Sequence, residues 1–283
     1  MGQHSDIALL MVLAAAFLHA TWNAMLKHAG ERAVMMALIT FGHGLVGIVL
    51  LLGARAPSVE SWPYIFASVI IHWFYYWFLL VSYRLGDLSQ VYPIARGSAP
   101  LLVASGGWLF ASETLGTNAW VGIALISAGI MMLALGSRNA RSDTKAVGAA
   151  LLTGLTIASY SVVDGLGVRL AGSPQGYIGW LFATSSSVMF FILWRQRARL
   201  SSLSARAYVT GFVGGVFSAG AYGLVIFAAT LAPLGPISAV RESSVLIAAL
   251  IGVVLFGERP WRVRVLSAGI VLCGILFLTV FSQ

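Results

Sequence analysis

The chain has 283 residues, of which 59% are hydrophobic and only 9% charged. An ordinary soluble domain carries about a quarter charged residues, so a soluble fold is excluded. The single Cys273 excludes a disulfide framework and a thiolate metal cluster, both of which need several sulfurs. The net charge of +8 does not point to nucleic acid, because the basic residues fall mostly between apolar runs rather than on one face.

Apolar runs occur in chain order at about 7–27, 34–53, 63–83, 88–111, 118–136, 146–168, 175–194, 207–229, 234–256 and 262–281. The opening stretch resembles a signal-peptide core but has His4 and Asp6 where a positive segment belongs, so it reads as a retained first span. A helix needs about 20 residues to cross the hydrocarbon, and barrel strands would alternate over about ten, so ten membrane helices are expected. Glycines inside the spans, such as Gly211, Gly214, Gly215 and Gly220, fit close helix packing.

Shifting the chain by 145 residues lays the fourth and fifth spans on the ninth and tenth. Arg96 then meets Arg241, Ser98 meets Ser243, Gly107 meets Gly252 and Glu113 meets Glu258. A matched pair of rare charges carries more weight than apolar coincidences. The expectation is two units, 1–140 and 141–283, of five helices each. An odd number of crossings makes the second unit enter the membrane from the opposite side. Inverted repeats of this kind build secondary transporters with a midplane site between the halves.

Arg96, Asp164, Arg241 and Glu242 fall well inside spans, where each costs about 2.5–3.5 kcal/mol and is expected to face a partner or a watery cavity. The repeat brings Arg96 and Arg241 together as a positive locus for an anionic or zwitterionic small-molecule substrate, since guanidinium stays charged when buried and grips carboxylate or phosphate. A structural alternative pairs Arg241 with Asp164 or a carbonyl. His19, Asn23 and Lys27 recur at intervals of four on one face of the first span, beside Trp22. The third span carries His72, Trp73, Tyr75, Tyr76 and Trp77, aromatic mass that could line a pocket. Tyr92 precedes Arg96, and Pro93 between them should break the helix locally. Substrate-binding candidates are therefore Arg96, Arg241, Tyr92, His72, Tyr76, Asn23 and Trp22. Glu242, Asp164 and His19 are candidates for carrying a proton, the histidine because imidazole titrates near neutral pH. Glu113 and Glu258 stand at span ends, where a solvated turn explains them. No metal or cofactor site and no phosphate-cradling Gly-Lys-Ser/Thr loop is expected.

The chain resembles the drug/metabolite transporter superfamily, specifically its ten-helix EamA-type members. The resemblance is carried by HATWNAMLK at 19–27, LFASETLG at 109–116, ASYSVVDGLGVRLAG at 158–172 and VLFGERP at 254–260. It implies two inverted five-helix halves, a central cavity and movement of small metabolites, often outward; the expectation is a secondary transporter of a bacterial inner membrane rather than an enzyme. The rival expectations are an intramembrane lipid-modifying transferase and an assembly factor that transports nothing. Monomer and homodimer remain open. Family members usually keep their termini in the cytoplasm. Here thirteen of the seventeen Lys and Arg residues fall in loops opposite the termini and two on the termini's side, and this bias puts the termini outside.

Overall fold

The computed structural model describes residues 2–27, 32–136, 144–200, 203–247 and 261–279, and among these every regular element is helical. The helices are α1 (Gly2–Lys27), α2 (Arg32–Gly53), α3 (Trp62–Leu85), α4 (Leu88–Phe110), α5 (Thr117–Met132), α6 (Thr144–Leu170), α7 (Pro174–Ser185), α8 (Ser187–Leu200), α9 (Ala205–Ala228), α10 (Leu234–Arg241) and α11 (Trp261–Thr279). Short 3-10 turns lead into α3 and follow α5. Six of these helices contain stretches individually long and apolar enough to cross a membrane. With α4, α5, the α7–α8 pair and the α10 region, they make the ten crossings expected from the apolar runs.

Two crossings depart from simple rods. The seventh is interrupted at Ser186, whose single hydroxyl proton is shared between Phe182 O at 2.7 Å and Thr40 O at 3.0 Å, so it ties α7 to α2. The ninth is interrupted at Glu242, after which residues 243–247 are again helical. By contrast, α4 runs unbroken with Pro93 and Pro100 inside it, against the expectation of a local break. Pro93 lies in the second turn of α4, where its ring forfeits the bond to one first-turn carbonyl without ending the helix.

Packing follows a two-fold pattern. α3 lies against α6 and α9 lies equivalently against α1, while α2 meets α7 and α5 meets α11. Where α5 and α11 cross, glycines meet backbone to backbone: a Cβ on Gly274 would stand 2.7 Å from Gly122 O, and one on Gly122 2.8 Å from Gly274 O. Gly211, Gly214 and Gly215 similarly let α9 close on Leu38 and Ile39 of α2.

Hydrogen bonds between connections fix the direction of each half. Ser58, between α2 and α3, donates its N–H to Ala171 O at 2.9 Å and its hydroxyl to Leu170 O at 2.7 Å, beyond the end of α6. Glu113, between α4 and α5, accepts from Leu234 N at 2.9 Å, at the start of α10. The second–third and fourth–fifth connections of the first half thus share a side with the first–second and third–fourth connections of the second half. The two halves are inverted. This shared side is also the one on which α1 begins.

Candidate functional site

The site is built from polar side chains that the midplane of each half delivers to one cavity. It holds about 90 Å³ of space open to water-sized groups and is bounded by α1, α2, α3, α4, α6, α7, α9 and α10. Of the residues that α1–α4 contribute, Trp22, Met36, Tyr76 and Arg96 lie in the halves of those helices farther from the termini's side, and His43 and His72 lie near the helix midpoints. On the termini's side the two halves are joined by the Ser58 bonds and by a second cluster around Glu113.

At the inner wall, Arg96 of α4 and Arg241 of α10 converge, each only 5% exposed. Between them sits Glu242, fully buried, with Oε2 2.7 Å from Arg96 Nε and Oε1 3.3 Å from Arg241 Nη2. The first contact is an attraction between charges whose N–H is not aimed at the oxygen, because Arg96 Nε and Glu242 Oε2 both lack a directed hydrogen bond. Arg96 Nη2 and Arg241 Nε are likewise buried without an acceptor. Two guanidiniums and one carboxylate sum to one positive charge, so the site has unspent donors and an unspent charge in a medium that tolerates neither. The break in the ninth crossing supports this arrangement. Glu242 keeps right-handed helical angles (φ −68°, ψ −10°) and donates its N–H to Ser238 O and Ala239 O, so the turn leads from α10 into residues 243–247 with Arg241 and Glu242 adjacent.

Aromatic rings make up much of the remaining wall. His72 stacks on Tyr160 with centroids 4.3 Å apart and a 21° interplanar angle, and its Nδ1 lies 2.8 Å from Ser68 O. Tyr75, Tyr76 and Trp22 also line the cavity, with the indole N–H of Trp22 buried and unpartnered. His19 lines it and meets Trp22 edge to face at 5.1 Å. The aromatic run of α3 is split by helix geometry: His72, Tyr75 and Tyr76 face inward, whereas Trp73 and Trp77 are exposed on the outer face, Trp77 by 67%.

Two candidates stand apart from the cavity. Asn23 turns back along α1, its amide donating to His19 O at 2.8 Å. Tyr92 lies under Arg96, with Cζ 6.0 Å from its ring centre, and packs into the core. Asp164, 1% exposed, lines a smaller neighbouring pocket that shares Tyr222 and Arg241 with the main cavity. It accepts hydrogen bonds from Tyr177 at 3.0 Å and from Tyr222. Arg241 is therefore paired with Glu242 rather than with Asp164. The side chain of Lys27 and all of Glu258 lie outside the described residues.

Sequence reasoning missed His43, Phe182, Ser218 and Tyr222, which complete the wall from α2, α7 and α9. His43 Nδ1 lies 3.4 Å from Ser218 Oγ, and its ring stands 4.0 Å from Phe182. An ionisable residue within an apolar run was the available signal for His43. Phe182 carried none, since an aromatic in an apolar helix reads equally as lipid-facing.

Glu113 corrects the expectation of a solvated turn. Ser112, in the left-handed region with φ 52°, turns the chain after α4, and the Glu113 side chain is only 9% exposed. Its Oε1 accepts from Arg169 Nη2 at 2.6 Å, and its Oε2 caps α10 through Leu234 N. Arg169 in turn donates to Ala229 O at 2.8 Å and Ala232 O at 3.1 Å, where α9 ends. The cluster fastens the first half to the second on the termini's side.

An inverted pair of five-helix units around a buried, charged cavity defines a polytopic membrane transporter. The chain matches the model of the EamA-like transporter family over residues 6–135 and 144–280 and belongs to that family. It is 24% identical over 280 residues to the protein of Bacillus subtilis (strain 168) named Uncharacterized transporter YwfM, covering 97% of this chain and 94% of that one. A protein crystal structure 17% identical in sequence superposes over 97% of both chains with a TM-score of 0.76, which is a likeness of fold.

Proposed function

We propose that the protein moves a small organic anion across the bacterial inner membrane by alternating access, without enzymatic chemistry. The observation that supports this most is the unspent charge: Arg96 and Arg241 face one cavity, share one carboxylate, and keep buried N–H groups without acceptors. A carboxylate or comparable monoanion entering the cavity neutralises the site and satisfies those donors. Binding energy of this kind is available only in a water-poor site, where charge-assisted bonds are about twice as strong as neutral ones.

In this reading the units 1–140 and 141–283 rock about the cavity, and the bonds of Glu113 and Ser58 hold the termini's side shut until the substrate has entered from the other side. Glu242 has the position of a coupling group. It already occupies both arginines, so its protonation would release them to a substrate, and its deprotonation would return them. Asp164 and His19 are less suited to that role, the first because Tyr177 and Tyr222 already satisfy it, the second because it touches neither carboxylate in the described bonds.

The test is counterflow of labelled organic acids in proteoliposomes. The wild type should exchange at least one monoanion, and Arg96→Ala and Arg241→Ala should each abolish exchange while the protein still elutes as a folded species. If no solute in a broad panel of anions and zwitterions moves, the transport reading is wrong. If solutes move equally well in both variants, transport survives and the arginine site does not.

A further inference from the structure

We infer that the cavity selects a flat, aromatic or conjugated monoanion that carries no ammonium group; this rests on the anion reading above and narrows it to a substrate class. The first support is the shape and chemistry of the aromatic wall that shares the cavity with the arginines. His72 and Tyr160 are stacked, Tyr222 meets both edge-on with centroids 5.8 and 5.7 Å away, and Phe182 stacks on Tyr222 at 6.1 Å and 22°. These residues come from α3, α6, α7 and α9, so the arrangement is a convergence of four helices rather than one aromatic stripe. Rings in such an interlocked set present faces and edges in fixed orientations. A planar guest can extend the set by stacking or edge contact, whereas a puckered ring or flexible chain of equal size meets only part of it.

The second support is electrostatic. Among the described residues lining the cavity, the only Asp, Glu, Lys or Arg side chains are Arg96 and Arg241. The two nearby carboxylates are committed elsewhere: Glu242 lies fully buried between the guanidiniums, and Asp164 sits in the adjacent pocket holding two phenolic hydroxyls. The site already carries one excess positive charge. An amino acid would bring its carboxylate to the arginines and its ammonium into the same locus with no free acid to receive it. The ring faces attract a cation only weakly, while an uncompensated second cation in a dry site costs far more than that attraction returns. A plain carboxylate meets no such penalty.

The experiment is equilibrium binding to the purified full chain in detergent, by calorimetry and thermal shift, with six probes: benzoate, 2-naphthoate, cyclohexanecarboxylate, phenylalanine, benzamide and sodium chloride at matched ionic strength. Either aromatic carboxylate should bind about fivefold or more tighter than cyclohexanecarboxylate, a ratio set by ring contacts of roughly 1 kcal/mol. Phenylalanine, benzamide and chloride should give no shift at concentrations where an aromatic acid saturates. His72→Leu should erase the preference for aromatic over alicyclic acids, while Arg96→Gln should weaken binding of both by about tenfold or more and leave the preference in place. Equal affinity for the cyclic acids, or phenylalanine binding as tightly as benzoate, overturns the substrate class and leaves the anion site standing. Failure of every carboxylate to bind the wild type overturns both.

Discussion

The cluster at Glu113 gives the account its most demanding prediction, because in the alternating-access reading its bonds join the two halves only while the termini's side is closed. Glu113→Ala removes the 2.6 Å pairing with Arg169 and the cap on Leu234 N together. A charge-assisted bond of this kind contributes about 1.5–3 kcal/mol and a helix cap about 1 kcal/mol, so the closed state loses roughly 2.5–4 kcal/mol. The state open to the termini's side makes neither bond and loses nothing. The ratio of open to closed protein should therefore rise by about sixtyfold to seven-hundredfold, at 1.4 kcal/mol per factor of ten. Glu113→Gln keeps an oxygen for Leu234 N and loses only the charge, so a rise of about tenfold is expected. Ser238 is a suitable reporter, buried on α10 and lining the small pocket one turn beyond Leu234. In a Cys273→Ser background, Ser238→Cys should react with a maleimide slowly in the parent, about tenfold faster with Glu113→Gln and about a hundredfold faster with Glu113→Ala. Unchanged labelling alongside a lowered thermal transition would refute the reasoning, because the cluster would then brace the fold without governing access.

Three further outcomes follow from the same geometry. Glu242→Gln leaves two buried guanidiniums without their counter-charge, which costs about 3–5 kcal/mol; its thermal transition should fall, and a saturating carboxylate should restore more of it than it adds to the wild type. Gly274→Val puts a side chain against the backbone of Gly122 and should lower the transition by about 2–10 °C, whereas Gly269→Val, which faces open space, should not. The loop charge bias of thirteen against two predicts that an export-dependent reporter fused after Gln283 is active and a cytoplasm-dependent one is not; the opposite pair of results would reverse the orientation.

Much of the architecture was legible because the bilayer imposes it. Unbroken apolar runs could be counted as crossings, and Arg96 and Arg241 could be matched because a charge in such a run is costly enough to stand out. The breaks at Ser186 and Glu242 were not legible. Each position has a tertiary partner, Thr40 O in one case and Arg96 in the other, and no proline lies within a turn of either, Pro236 standing six residues before Glu242. Pro93 shows the converse, a proline that a second-turn position renders harmless. Glu113 was misread for a related reason: its place at a span end suggests water, and only the approach of Arg169 and α10 from the other half excludes it. In α3 the sequence told that the aromatics cluster but not that Trp73 and Trp77 turn outward, a division set by which neighbours cover each face.

The central claim is that the two arginines act as one anion receptor, and the most direct measurement is a binding cycle with benzoate on the wild type, Arg96→Gln, Arg241→Gln and the double variant. Each single substitution should weaken binding by about tenfold or more, and the double variant should lose less than the product of the two, since both guanidiniums hold the same group. Affinity that is unchanged in both single variants, or losses that multiply as for independent sites, would contradict the account.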